Sequence, residues 1–297
     1  NLLRDPTFKR YFESKGYQEP LQINSPINSN IMLRVSITLF GEDDRLVFAQ
    51  DITRIHRLEQ MRGDFVSNVS HDMRTPLTVI RGYIETFQDT KELPKKWLRP
   101  LNSMAEQTKR MELLIQDLLL LAKYETEDLS GVQQAVEIEP MLRLIIQDAE
   151  TFSGKHKHEI HLSFEISGRF TLLGNERQLH SAFSNIVYNA VKYTPALGLI
   201  QLRCWQDSRG VHFSVTDSGY GFDPIHIPHL TERFYRIDPS RNNASGGSGL
   251  GLAIVKHVLI NHKGSLEVHS EEGKGSEFIC HFPLSLATPV DEINVSA

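Results

Sequence analysis

The sequence predicts an α+β multidomain protein in which a small α+β piece, a long two-helix hairpin and a C-terminal α/β sandwich follow one another. Three observations carry that expectation. The chain has 297 residues, with 40% hydrophobic and 23% charged, which excludes wholesale disorder and fibrous repeats and leaves room for more than one core. Apolar residues recur at helical spacing from about Ile55 to Tyr124. On either side the pattern changes to short alternating runs of strand type broken by turn residues.

Taken in order, Ile31 to Phe40 and Arg45 to Gln50 read as strands joined across Gly41-Glu42-Asp43-Asp44, so residues 1–52 form the α+β piece. Residues 53–125 form the hairpin. Its first helix runs from about Ile55 to Phe87, and its second starts after Pro94 and continues to Tyr124. In the second, Leu101, Met104, Thr108, Met111, Ile115, Leu118 and Ala122 alternate spacings of three and four, the rhythm of a coiled-coil seam. Two helices cover such a seam poorly, so pairing of two hairpins into a dimeric four-helix bundle is expected. Thr126 to Gln134 is polar and carries Gly131, which makes 126–135 a linker. Residues 136–285 then alternate strands and helices, with Val211, Phe213 and Val215 on one strand and Phe278, Cys280 and Phe282 on another. The last stretch, 286–297, reads as a disordered tail.

Acidic residues outnumber basic ones by 37 to 32, giving a net charge of -5, which argues against a direct nucleic-acid partner. Cys204 and Cys280 are too few and too far apart for a disulfide framework, and a reducing compartment fits them. No apolar run approaches the roughly 18 residues that span a bilayer. The chain opens at Asn1 without a methionine or a signal-peptide pattern and is read as the C-terminal part of something longer.

The chemistry starts in Ser70-His71-Asp72-Met73-Arg74-Thr75-Pro76-Leu77. The apolar stripe Phe65, Val69, Met73, Pro76, Ile80, Tyr83 and Phe87 leaves His71 on the opposite, solvated face at about 100° per residue. Asp72 is adjacent and could hold the imidazole tautomer, making the other ring nitrogen a nucleophile. Thr75, one turn on, could orient a water, while Pro76 removes a backbone donor and lets the helix bend beside the histidine. Thr78, Gly82 and Glu85 continue the outward face, where a partner could rest. A lone histidine on a wet helix face is usually an inert surface residue; its neighbours change that reading.

Further on, Asn185, Asn189 and Lys192 fall in one row of a helix whose opposite face carries Phe183, Ile186, Val187 and Ala190. Amide oxygens suit Mg²⁺ and an ammonium group suits phosphate, so the row is half of a nucleotide–metal site, against the alternative of an ordinary solvated face. Asp217, in Asp217-Ser218-Gly219-Tyr220-Gly221, continues the inward phase of its strand, so its carboxylate needs a buried partner. The exocyclic amine of adenine meets that need, whereas guanine presents an acceptor, so ATP is expected over GTP. Gly246-Gly247-Ser248-Gly249-Leu250-Gly251-Leu252 runs into a helix and reads as a phosphate cradle, though it is neither a Walker A loop nor a full dinucleotide fingerprint. The polar stretch from Asp223 to Ser245 before it is read as a lid, and Gly273-Lys274-Gly275-Ser276 turns between the last two strands. His156, His158 and His161 match no metal-ligand spacing and are assigned nothing.

In this order and spacing the motifs resemble those of the sensor histidine kinases of two-component signalling, over about residues 57 to 285. Residues 70–77 resemble the phosphoacceptor box, 185–193 the asparagine box, and Asp217 to Gly221, Gly247 to Leu252 and Gly273 to Ser276 the glycine boxes. The spelling Leu230-Thr231-Glu232-Arg233-Phe234-Tyr235-Arg236 narrows the resemblance to the branch that serves phosphate starvation.

The resemblance implies a sandwich of the histidine-kinase, gyrase and chaperone ATPase type, a trailing PAS-like piece over 1–52, and ATP and Mg²⁺ as cofactors. It makes His71 the phosphoacceptor, Asp72 the base and Thr75 the residue that positions water for dephosphorylating the partner. Asn189, helped by Asn185, would hold Mg²⁺. Lys192, Tyr193 and Arg236 would contact phosphates, and Asp217 adenine with Gly219, Gly221 and Ser276 nearby. Gly247, Gly249, Leu250, Gly251 and Leu252 would line the nucleotide. The implied partner is a response regulator receiver domain, that of the phosphate-starvation regulator, and the implied setting is the cytoplasmic side of a bacterial inner membrane, reached through a segment before Asn1. Two departures stand out: the acid after the histidine is Asp where the family mostly has Glu, and Tyr220 and Phe222 are bulkier than the usual aliphatics. The rival readings are a gyrase-type ATPase without phosphohistidine chemistry, which the His71 box disfavours, and a scaffold that only switches shape with nucleotide.

Overall fold

The computed structural model describes residues 4–14, 17, 20–40, 44–90, 93–126, 134–166, 170–237 and 248–289, and gives only the backbone at helix positions 59–60, 62–68 and 70–71. These residues divide into two compact units, 1–68 and 69–297, so the division falls inside the first long helix and not at the 52/53 boundary expected.

In the first unit, helix α1 (Pro6–Glu13) is started by Asp5, whose carboxylate accepts from the N–H groups of Thr7 and Phe8 at 2.8 and 3.0 Å, with Pro6 at the position where a missing donor does no harm. Strands β1 (Leu21–Asn24), β2 (Met32–Phe40) and β3 (Asp44–Asp51) form an antiparallel sheet in that order. Phe8, Ile23, Val35 and Ile37 are its core. Helix α2 (Thr53–Gln88) follows at once. Asp51 fixes that junction: its carboxylate accepts from the Thr53 N–H at 2.8 Å and hydroxyl at 2.5 Å, and these bonds hold it below the usual carboxylate range.

In the second unit, α2 from Val69 onward lies antiparallel to α3 (Lys95–Thr126), with Arg81 bonded to Glu112 at 3.1 Å and Gln88 to Asn102 at 2.8 Å. Leu77 and Ile84 of α2 and Leu101 and Thr108 of α3 are the residues buried there. The stripe expected to be the core face, Met73, Ile80, Tyr83 and Phe87, is exposed in the single chain, because the hairpin axis runs through Leu77 and Ile84, one position off that stripe. Pro76 lies inside α2 without interrupting it.

The C-terminal lobe is built from β4 (Gln134–Glu137), α4 (Ile138–Ser153), β5 (Glu159–Phe164), β6 (Phe170–Gly174), α5 (Glu176–Tyr193), β7 (Leu199–Gln206), β8 (Gly210–Asp217), α6 (Gly251–Asn261), β9 (Ser265–Glu271), β10 (Gly275–Pro283) and β11 (Ala287–Pro289). One sheet has the order β5-β7-β8-β10-β9 and a second the order β11-β6-β4. The first sheet turns Ile200, Leu202, Cys204, Val211, Phe213, Val215, Phe278, Cys280 and Phe282 toward the helices, where the Phe183 ring of α5 packs at a tilt against Phe213 with centroids 4.5 Å apart. Two expectations are corrected here. Gln134 and Ala135 are not linker but pair with Gly174 and Leu173, and residues 287–289 are not tail but pair with 170–172 after a buried Leu286. Both strands are short and polar enough to pass as loop; what orders them is β6 between them, a partner distant in sequence. Residues 127–133 and 290–297 lie outside the described residues.

Candidate functional site

The phosphoacceptor-type box occupies the middle of α2. Asp72, Met73, Arg74, Thr75 and Pro76 are exposed, and Leu77, buried into the hairpin, sets that orientation. The His71 side chain lies outside the described residues, so the expected contact between it and Asp72 does too. Pro76 has no N–H to give to the Asp72 carbonyl, and the Thr78 hydroxyl bonds the Arg74 carbonyl at 3.0 Å in the turn beyond.

The polar row of α5 faces α6. Asn175 caps α5 by accepting from the Gln178 N–H at 3.2 Å, which sets the helix phase. Phe183, Ile186, Val187 and Ala190 are then buried, and Asn185, Asn189 and Lys192 fall on the opposite, half-buried side. The Asn185 amide nitrogen is tied to the Ser181 carbonyl at 2.8 Å, which turns its oxygen toward Gly251; a Cβ at position 251 would come within 2.5 Å of that oxygen. Lys192 places its ammonium 4.9 Å from the Tyr193 ring centre. Burial first, and then the positive charges of Arg236 and Arg110, push Lys192 down to about 8. Burial also raises the Tyr193 hydroxyl.

Asp217 ends β8 with 6% of its surface exposed. Its carboxylate accepts the Gly219 N–H at 2.8 Å and the Ser276 N–H, and among the described residues no cation stands beside it. Burial therefore wins, and its carboxyl is pushed up to about 6. The two glycine turns around it touch back to back. The Gly273 N–H donates to the Tyr220 carbonyl at 2.6 Å, and a Cβ on Gly221 would overlap the Glu271 carbonyl oxygen. A Cβ on Gly275, at φ +110°, would overlap the carbonyl oxygen of Asp217 itself. Gly275→Ala is thus expected to destabilise the chain by about 3 kcal/mol or more, whereas Gly273→Ala, at φ +80° with open space around it, should cost about 1–2 kcal/mol. Denaturant titration of both variants checks the order; equal losses would show that the contact with Asp217 is not what demands glycine.

The second glycine run is described from Ser248. Gly249 is at φ +73° and accepts at its carbonyl from the Phe234 N–H at 2.9 Å, Leu250 is fully buried, and Gly251 opens α6. Gly246 and Gly247 lie outside the described residues, as do 238–245 of the stretch expected to be a lid; its earlier part holds a short 3-10 helix at Pro224–His229. The structure thus brings three groups of expected site residues together: Asn185 with Gly251, Asp217 with Gly219 and Ser276, and Lys192 with Tyr193 and Arg236.

An adenine nucleotide fits this donor set. A buried carboxylate lacking a cation suits an exocyclic amine, a glycine-opened helix and unpaired cations suit phosphates, and amide oxygens suit Mg²⁺. Two residues that the sequence reading passed over also belong to the surroundings, Arg110 beside Lys192 and Asp117, which accepts a hydrogen bond from Ser248. Both come from α3; the available signal was their seven-residue spacing, on a face other than the coiled-coil seam. His158, one of the histidines assigned nothing, bonds Ser153 at 2.9 Å and the Thr194 carbonyl at 3.0 Å.

Comparison with known proteins agrees with this division of labour. Residues 61–127 match the family described as His Kinase A (phospho-acceptor) domain, and residues 174–286 the Histidine kinase-, DNA gyrase B-, and HSP90-like ATPase family. The phosphate regulon sensor protein PhoR of Pseudomonas aeruginosa is 53% identical over 95% of this chain and 63% of its own length. PhoR of Haemophilus influenzae is 39% identical over 91% of this chain and 62% of its own length. The sensor-like histidine kinase SenX3 of Mycolicibacterium smegmatis is 30% identical over 89% of this chain and 69% of its own. The chain thus spans just under two thirds of the two PhoR proteins. Among solved structures, full-length ShkA in complex with AMPPNP superposes with a TM-score of 0.61 at 28% identity, over 74% of this chain and 45% of that one.

Proposed function

The chain belongs to the sensor histidine kinases, and from that premise we propose that it transfers the γ-phosphoryl group of ATP to His71 and then to an aspartate of a response regulator receiver domain, that of the phosphate-starvation regulator. The observation that carries this reading is the presence in one chain of a phosphoacceptor-type hairpin and an ATPase-type lobe. A gyrase-type ATPase needs only the second, so the first disfavours that rival.

In this reading the lobe holds and orients the nucleotide. Asp217 accepts the adenine amine, Gly219, Gly221 and Ser276 shape the turn around the base, and the N-terminus of α6 with Gly247, Gly249, Leu250, Gly251 and Leu252 lines the phosphates. Lys192 and Arg236 neutralise phosphate charge, and the uncharged Tyr193 hydroxyl donates a hydrogen bond to a phosphate oxygen. Asn189 and Asn185 would hold Mg²⁺, which would supply neutralisation of phosphate charge. Phosphoryl transfer asks for little beyond such positioning. Asp72 takes the imidazole proton as the nitrogen–phosphorus bond forms and the bond to ADP breaks. Incubating the chain with γ-labelled ATP and a purified receiver domain tests the proposal: acid-labile label on the chain that passes to the regulator supports it, and ATP hydrolysis without protein label sinks it.

Thr75, exposed one turn beyond His71, is assigned to orienting the water that removes phosphate from the regulator. Thr75→Ala should leave labelling of the chain within about twofold and slow dephosphorylation of the regulator at least about tenfold. Unchanged dephosphorylation would remove that role. Thr78, Gly82 and Glu85 are exposed, and a side chain at Gly82 would meet nothing within 4 Å, which leaves that face open for a receiver domain.

A second copy is the proposed occupant of the hairpin's apolar side, where Ile80, Tyr83, Phe87, Trp97, Pro100 and Met104 line a groove of about 630 Å³. That is a four-helix bundle with the seam turned inward. Residues 1–52 are read as the trailing part of a PAS-like sensor domain, 53–125 as the dimerisation and phosphotransfer hairpin and 136–285 as the catalytic lobe. No helix among the described residues is long and apolar enough to cross a membrane; a setting on the cytoplasmic side of a bacterial inner membrane is proposed from the likeness to the PhoR proteins alone.

A further inference from the structure

Helix α3 has two working faces. One buries Leu101 and Thr108 against α2. The other carries Arg110, Leu114, Asp117, Leu121 and Tyr124, whose spacings of four, three, four and three confine them to a wedge of about 80° on the far side of the helix. The lower end of this stripe is fastened to the lobe. Leu121 and Tyr124 are part of the lobe's core, and the Tyr124 carbonyl accepts from His257 Nε2 at 2.6 Å and Asn261 Nδ2 at 3.3 Å. The Tyr124 hydroxyl donates to the Arg177 carbonyl at 3.4 Å, and Glu125 pairs with Arg233. Two turns up, Asp117 accepts from Ser248 beside the glycine loop. Two turns further, about 10 Å along the axis, comes Arg110.

Arg110 is half-buried and stands close enough to Lys192 for its charge, with that of Arg236, to disfavour the lysine's protonated form. Among the described residues neither Arg110, Lys192 nor Arg236 has a carboxylate or hydrogen-bond partner. Two half-buried guanidinium groups that both act on one half-buried ammonium repel it unless something polyanionic lies between them. Of these three cations, two belong to the lobe and one to the hairpin.

We propose that Arg110 is a positioning residue that contacts the polyphosphate of a nucleotide held by the lobe of its own chain, so that nucleotide binding and docking of the lobe on the hairpin reinforce each other. The proposal rests on the reading of the lobe as an ATP site and adds to it a phosphate contact supplied by the phosphotransfer hairpin. An arginine suits this position because its guanidinium stays charged when half-buried and spans two phosphate oxygens.

Binding of Mg-AMPPNP, Mg-ADP and adenosine to the 297-residue chain, measured by calorimetry for the wild type, Arg110→Ala and Arg110→Lys, tests it. Arg110→Ala should weaken AMPPNP about tenfold and ADP by less than about threefold while adenosine is unchanged, and Arg110→Lys should recover most of the loss. A merely structural role would move all three ligands together. AMPPNP affinity in Arg110→Ala within about twofold of the wild type, with the wild type binding normally, overturns the Arg110 contact and leaves the ATP site standing. Equal weakening of all three ligands overturns it as well. A wild-type chain that binds none of them overturns both readings.

Discussion

Replacing His71 by glutamine is expected to abolish transfer of label from γ-labelled ATP to the chain while nucleotide binding persists. Glutamine is a good helix former, so α2 should keep its course through residue 71. The amide nitrogen, unlike an imidazole nitrogen, has its lone pair delocalised into the carbonyl and is no nucleophile. Residual label should fall to about one thousandth of the wild type or less. The nucleotide site should be unaffected because, apart from Arg110 of α3, its residues come from β8, α5, α6, the loop carrying Arg236 and the turn into β10, all within 174–286 and none on α2. The pair of measurements separates chemistry from folding: label that survives in the variant moves the phosphoacceptor elsewhere, and loss of label together with loss of AMPPNP binding points to a damaged fold. Wild-type label should be lost in acid and resist alkali, as a nitrogen–phosphorus bond requires.

How much of this was legible beforehand depended on whether the determining contacts were local. The two helices of the hairpin could be read because three-and-four periodicity is written in neighbouring residues, and α2 begins at Thr53 because Asp51 is two residues away. Asp217 could be placed by strand alternation alone, and it is buried with Val211, Phe213 and Val215. The helix α1 was missed although Asp5 and Pro6 mark its start, since its single buried residue, Phe8, gives no periodicity to see. Strands β4 and β11 escaped because their order comes from β6, dozens of residues away. The second face of α3 was masked by the first. Periodicity finds the strongest apolar stripe, whereas the face toward the lobe mixes Arg110 and Asp117 with Leu121 and Tyr124 and becomes legible only once the lobe is beside it. Gly221 is assigned to the nucleotide and Gly275 only to a turn; the structure gives both a reason independent of any ligand, the contact between two loops.

Asp217→Asn should move stability and nucleotide affinity in opposite directions. The wild-type carboxyl titrates at about 6 in the folded chain against 3.8 for its ordinary value. A carboxyl raised on folding binds its proton more tightly in the folded state, so its penalty is absent below pH 4 and grows as pH rises through 6. Above that it subtracts on the order of 3 kcal/mol from stability. Asparagine keeps an oxygen to accept the Gly219 and Ser276 N–H groups but carries no charge, so the free variant should be more stable than the wild type at neutral pH, by about 1–2 kcal/mol once its own amide hydrogens are provided for. Binding should respond the other way. The adenine amine wants the ionised carboxylate, so loss of that charge should weaken AMPPNP about a hundredfold or more. By the same reasoning wild-type affinity should fall about tenfold per pH unit below 6, where the carboxylate takes up its proton, and the variant should lack that dependence. GTP should bind neither form well, since guanine offers an acceptor where an amine is needed. Denaturation and calorimetry on the same two samples decide the matter. A variant that binds AMPPNP as the wild type does removes Asp217 from the adenine contact. One that loses both binding and stability shows the carboxylate to be a structural anchor of the two loops, with no penalty waiting for a ligand to relieve.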